Sequence, residues 1–189
     1  MKILLVDNFD SFTFNLAHYI EGLDCEVSVV RINEVSYEDV LFFDKIVISP
    51  GPGLPHESEL LMKFIETFHD KKPILGVCLG MQALGEFFGD KLINLNQVKH
   101  GVSGFIEIID HTTLFRGLKS EIEVGLYHSW AVELQENSKF IPLAYSKEKI
   151  LMAFQHETLP LFGVQFHPES IMTPSGKSVL FNFLSMNSW

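Results

Sequence analysis

The chain has 189 residues, a formal net charge of −10 and 47% hydrophobic residues, including 17 Phe. That length fits one compact domain, 1–189, with a sizeable core, and the composition excludes a disordered chain. The acidic balance excludes a nucleic-acid or anionic-membrane surface, because both need clustered Lys and Arg.

From the N-terminus, MKILLVDNFDS passes from an apolar run into acidic and turn residues after six positions, too short for a signal h-region or a membrane span. It reads as a first strand. Cys25 and Cys78 lie far apart with no CxxC spacing, and the eight His contain no HExxH. Neither a disulfide framework nor a metal site is indicated, and a reducing, cytoplasmic setting is expected.

KILLV (2–6), CEVSVV (25–30), KIVIS (45–49) and PILGV (73–77) are short apolar runs rich in β-branched residues. Phe12, Leu16, Ile20 and Leu23 recur at helical spacing after the first of them. Leu60, Leu61, Phe64, Ile65 and Phe68 do so before the fourth. This βαβα alternation predicts an α/β fold with an open, mostly parallel sheet flanked by helices. Beyond residue 91 the runs come closer together: GFIEIID (104–110), EIEVGLYH (121–128), ILMAF (150–154) and LFGVQF (161–166). Turn residues separate them, so an antiparallel extension is expected. Val179, Leu180, Phe183 and Leu184 then mark a closing helix.

In an open parallel sheet, ligands bind beyond the carboxyl ends of the strands, which directs attention to three loops. Cys78 sits between a strand, PILGV, and a helical run, LGMQALGEFFG, with Gly76 and Gly80 two residues to either side. That is the form of a nucleophile elbow, and the helix N-terminus behind it favours negative charge on the sulfur. GVCLG alone fits a buried structural cysteine as well. SPGPG (49–53) follows KIVIS, and its glycines let a backbone N–H approach a ligand, as an oxyanion hole requires, although a plain turn uses the same residues. FHPES (166–170) follows LFGVQF, and a continuing strand period points His167 and Glu169 the same way. A histidine held by a carboxylate is a base in a fixed tautomer. Nucleophile, oxyanion donor and oriented base thus fall at one sheet edge.

GVCLGMQ, SPGPG and FHPES in this order resemble the class I, or triad-type, glutamine amidotransferase domain over nearly the whole chain. DNFDSFTFNL (7–16) is similar to the glutaminase component of anthranilate synthase and of aminodeoxychorismate synthase. From the residues alone, Asp10 and Ser11 are N-cap candidates. The resemblance implies a flavodoxin-like core and hydrolysis of L-glutamine to glutamate. Ammonia would pass to a synthase subunit of the anthranilate synthase component I type, which aminates chorismate. It implies Cys78 as nucleophile, His167 as base and acid, and Glu169 as the group orienting His167. The SPGPG loop, Gly51, Pro52 and Gly53, lines the substrate site, with the N–H groups of Gly53 and Leu79 on the oxyanion. Gln82, Ser129 and Trp130 match positions that recognise the glutamine head group. No cofactor is implied for this chain, with magnesium expected in the partner.

Departures from the family pattern are Val102 after His100 and Gly101, Leu126 where Arg is common, and YHSW in place of YHSL. None touches the triad. The other reading open to the sequence is a non-enzymatic flavodoxin-like binding or signalling domain, which lacks its own marks here. SPGPG stands where a receiver domain needs a phosphoacceptor Asp, and the loop after the first strand has no glycine to approach a phosphate.

Overall fold

The computed structural model describes residues 1–96 and 99–186. Its strands are β1 (Lys2–Asp7), β2 (Glu26–Arg31), β3 (Lys45–Ile48), β4 (Ile74–Val77), β5 (Lys91–Asn94), β6 (Val102–Ile108), β7 (Glu121–Leu126), β8 (Trp130–Glu133), β9 (Phe140–Ser146), β10 (Leu151–His156) and β11 (Leu161–Val164). The helices are α1 (Thr13–Glu21), α2 (Tyr37–Val40), α3 (Glu59–Phe68), α4 (Leu79–Phe87) and α5 (Gly176–Ser185).

Among these residues a nine-stranded sheet runs β2-β1-β3-β4-β11-β10-β9-β6-β7. The first five strands are parallel and the remaining four pair antiparallel. A separate antiparallel pair, β5 and β8, stands apart from it. The mostly parallel sheet with an antiparallel extension is therefore present as the sequence predicts. The chain reaches the extension and returns, so that β11 completes the parallel set beside β4.

Both faces of the parallel half are covered, which is why its strands read as unbroken apolar runs. Ile3 and Leu5 of β1 turn to one face, with Leu16, Ala17 and Ile20 of α1 and Val179, Leu180 and Phe183 of α5. Leu4 and Val6 turn to the other, with Leu61, Phe64 and Ile65 of α3 and Met81 and Leu84 of α4. Lys45, at the start of β3, fastens α5 to the sheet: its buried ammonium donates to the carbonyls of Phe183 at 2.8 Å, Leu184 at 2.9 Å and Met186 at 2.6 Å. These carbonyls lie at the end of the helix, where no intrahelical donor remains for them. Burial lowers the Lys45 pKa to about 8.

Three expectations need correction. Leu60 belongs to the solvent side of α3, 48% exposed, while Leu61 takes the core position. Asp10 and Ser11 do not cap α1; Phe12 occupies the N-cap without a side-chain bond, and the Asp10 carboxylate instead accepts from the Phe12 N–H at 2.7 Å in a local turn. LFGVQF does not continue as strand through Phe166, because β11 ends at Val164. Among the described residues no helix is long and apolar enough to cross a membrane.

Candidate active site

Four neighbouring parallel strands deliver their carboxyl ends to one place: β1 ends at Asp7, β3 leads to Ser49, β4 to Cys78 and β11 to Gln165. The loops there lock onto one another. Asn8 donates its N–H to the Ser49 hydroxyl oxygen at 2.9 Å and its side-chain amide to the Ser49 carbonyl at 3.1 Å. A Cβ on Gly51 would lie 2.7 Å from Asn8 Cβ and 2.7 Å from Leu79 Cδ2, so only glycine lets the SPGPG loop settle against both the first loop and the elbow.

Cys78 itself has φ 51° and ψ −101°, a backbone state that side chains avoid, worth about 1–3 kcal/mol of strain. Two hydrogen bonds hold it there. Its N–H donates to Val164 O at 2.8 Å, and its carbonyl accepts from Gln82 N at 3.0 Å as the first bond of α4. The strain lifts the side chain off the end of β4 and places it at the N-cap of α4, where the helix favours negative charge. Leu79, the first helical residue, has no intrahelical acceptor for its N–H, which leaves that donor for an oxyanion. Gly53 has φ 76° and lies with Pro52 on the exposed part of the loop.

His167 and Glu169 meet as expected, Nδ1 to Oε1 at 2.6 Å, and both side chains are buried. The reason differs from the predicted one. His167 makes a lone antiparallel bridge to Gly125 and then turns through Pro168, so a turn rather than a strand period brings the pair together. Thr173 secures that turn, donating its hydroxyl to His167 O at 2.6 Å and accepting from Gly125 N at 2.9 Å. With Nδ1 committed to the carboxylate, Nε2 is the free ring nitrogen, buried without a hydrogen-bond partner among the described residues. Burial alone lowers the His167 pKa, but the Cys78 and Glu169 side chains outweigh it and raise it to about 10. The Cys78 side chain is thus close enough to act on the His167–Glu169 pair, although among the described residues no hydrogen bond joins the sulfur to Nε2.

The aromatic rings of Tyr127, with centroid 4.7 Å away, and Phe12, at 5.8 Å, pack on the His167 ring. Phe12 thus serves the site, whereas its spacing assigned it to the α1 stripe. The DNFDS stretch accounts for this placement: buried Asp7 accepts from Asp10 N at 3.1 Å and from Thr13 Oγ1 at 2.8 Å, turning the chain so that Phe12 faces the imidazole. Burial pushes the Asp10 carboxyl up, with the Phe12 N–H and His167 acting in the opposite direction.

Gln82 is buried rather than an exposed helix residue. Its Nε2 donates to Trp130 O at 2.9 Å and to Gln165 Oε1 at 3.1 Å. Trp130 joins the site through its main chain, since the same carbonyl also meets His128 Nδ1 at 2.9 Å. The Ser129 carbonyl accepts from Leu95 N at 2.8 Å, and the residue is half-buried. Gln165 was not among the residues expected at the site. It is fully buried, with Nε2 3.5 Å from Cys78 Sγ. A glutamine between Val164 and Phe166 at the end of a core strand was the available signal. Cys25 is half-buried just before β2, far from this constellation in the fold, its thiol 3.7 Å from Leu23 O.

The family model for "Glutamine amidotransferase class-I" matches residues 4–186, and the chain belongs to that family. It is a glutamine-hydrolysing enzyme. Among its relatives, "Anthranilate synthase component 2" of Pseudomonas aeruginosa is 42% identical, covering 96% of this chain and 94% of the relative. "Aminodeoxychorismate/anthranilate synthase component 2" of Bacillus subtilis is also 42% identical, covering 96% and 95%. A solved structure from Thermoplasma acidophilum, described as a GMP synthase subunit, superposes with a TM-score of 0.87 at 26% identity over 97% of this chain and 92% of that one.

Proposed function

We propose that this chain is the glutaminase component of anthranilate synthase and that it delivers ammonia to a chorismate-using synthase subunit. The observation that carries the reading is the buried His167–Glu169 pair beside a strained Cys78 at the N-terminus of α4. The relatives named for anthranilate synthase supply the pathway.

Cys78 gives its proton to His167 Nε2, and the sulfur attacks the side-chain amide carbon of glutamine. Glu169 keeps the proton of Nδ1 in place and stabilises the imidazolium that forms. The negative charge on the tetrahedral oxygen falls to the N–H groups of Leu79 and Gly53, each such donor worth about 3 kcal/mol in the transition state. The C–N bond breaks as His167 returns its proton to the departing ammonia, leaving a γ-glutamyl thioester on Cys78. Water, deprotonated by His167, then releases glutamate. Gln82 has both amide hydrogens engaged, which leaves Oε1 to accept from a substrate N–H. The family resemblance assigns Ser129, Trp130, Gly51 and Pro52 to the substrate site as well.

The test is co-purification with a component I type synthase, followed by supply of chorismate, magnesium and glutamine and identification of the product by fluorescence and mass spectrometry. Anthranilate is expected. Aminodeoxychorismate as the sole product would move the chain to the other synthase, and the doubly named Bacillus relative makes one chain serving both a further outcome to score. Cys78→Ser should abolish glutamine-dependent amination and leave amination from added ammonia intact, since the two half-reactions sit on different chains. Loss of both in an intact complex would count against the division of labour.

A further inference from the structure

Buried amides around Cys78 form a chain whose direction is fixed at one end. The Trp130 carbonyl can only accept, so the Gln82 group facing it at 2.9 Å must be the NH2. That NH2 has a second hydrogen, directed at the Gln165 amide 3.1 Å away, where only an oxygen can receive it. Gln165 must therefore turn its own NH2 the other way, and what lies there, 3.5 Å off, is the sulfur of Cys78. Flipping either glutamine would set two donors against each other in a buried space, at the cost of an unmade hydrogen bond. Gln165 has no exposed surface and Gln82 is 4% exposed, so water offers little relief.

We infer that Gln165 is a positioning residue that donates an N–H to Cys78 Sγ, its amide held in the donating orientation by Gln82 and the Trp130 carbonyl. The inference deepens the glutaminase reading and rests on it for the identity of the nucleophile. A hydrogen bond to the anionic form favours that form. The donor also restrains where the sulfur points once the Cys78 proton has moved to His167. Gln165 is joined to the same loop as the base: its N–H donates to Met152 O at 2.9 Å, and His167 follows two residues later. Base and sulfur donor are thus set by one short stretch of chain.

The test uses Gln165→Met, which keeps an unbranched side chain of similar bulk and removes the donor. Modification of Cys78 by iodoacetamide is followed across pH by peptide mass spectrometry, which separates it from Cys25. The expected result is that the pH profile moves to higher pH and that alkylation at neutral pH slows roughly threefold to tenfold, loss of thiolate being partly offset by its greater nucleophilicity. In the assembled complex kcat should fall with a smaller change in the KM for glutamine. An unchanged profile in a variant that melts like the unmodified chain overturns the inference.

A second measurement needs no substitution. The side-chain amide protons of Gln165, followed by NMR in the unmodified chain, should shift when Cys78 is alkylated, and resonances that stay put overturn the inference equally. Normal alkylation behaviour in a chain that never turns over glutamine with any partner would refute the functional reading and leave Gln165 in its role.

Discussion

Replacing Gly76 by Ala tests how closely the elbow is built. Gly76 ends in β4, two residues before Cys78, and a Cβ there would run into the Gly80 carbonyl and stand 2.6 Å from Met81 N. That is about 0.8 Å short of the 3.4 Å at which ordinary contact begins, and the obstacle is helix backbone, which has no rotamer to change. The first turn of α4 must back away from β4. It cannot retreat freely, because a Cβ built on Gly80 already lies 2.6 Å from Ile48 O, so α4 is wedged between two strands. Overpacking of this kind costs about 2 kcal/mol, which lowers Tm by roughly 4–8 °C in a chain of this size. Because Cys78 sits on the hinge of that movement, the sulfur shifts relative to His167, and displacement near 1 Å removes about 100-fold in rate. Calorimetry and glutamate release in the assembled complex measure the two effects. Gly117→Ala is the control: φ there is 78° and no atom lies within 4 Å, so it should lose about 1 kcal/mol of stability with no loss of rate. Gly76→Ala with unchanged Tm and rate would refute the wedge.

His167 holds its proton more tightly in the folded chain than in the unfolded one, since its pKa rises from 6.5 to about 10. Its contribution to stability is fully present below about pH 6.5 and disappears as the pH passes through about 10. The gap in unfolding free energy between the unmodified chain and His167→Gln should therefore narrow from pH 6 to pH 10; a gap that widens contradicts the pairing. Glu169→Gln keeps the shape but takes away the charge that stabilises the imidazolium, and glutamine-dependent turnover in the complex should drop by about 100-fold or more. A loss below tenfold would mean the carboxylate only packs. Lys45→Met strands three carbonyls at the end of α5, and a loss of about 2 kcal/mol in urea unfolding is expected with the rate preserved.

Where a structural choice depended on neighbours in sequence, the sequence disclosed it. KILLV and PILGV are β1 and β4 within a residue because a strand buried on both faces must be apolar throughout. Cys78, SPGPG and FHPES were legible as a set because strand ends in a parallel sheet share an edge. Leu60 and Leu61 were not separable, since adjacent leucines satisfy a helical stripe equally until α3 is rotated against the sheet. The strands β5, β8 and β9 were missed as strands. WAVE and KLIN are too short to display a period, and the Pro142 within β9 argued against a strand whose hydrogen bonds to β10 are in fact interrupted by a register shift. Gln165 was marked only by being polar at the end of a core strand, and Phe12 not at all, because each acts across 87 or more positions on a partner set by topology.

The sulfur of Cys78 is the proposed acceptor of the glutamyl group, and a glutamine analogue with a diazoketone in place of the amide reports on it directly. Incubated with the assembled complex and digested, the unmodified chain should carry the added mass on the Cys78 peptide and none on Cys25, with labelling slowed at least tenfold by His167→Gln. Full inactivation with Cys78 unlabelled, or labelling indifferent to His167, contradicts it.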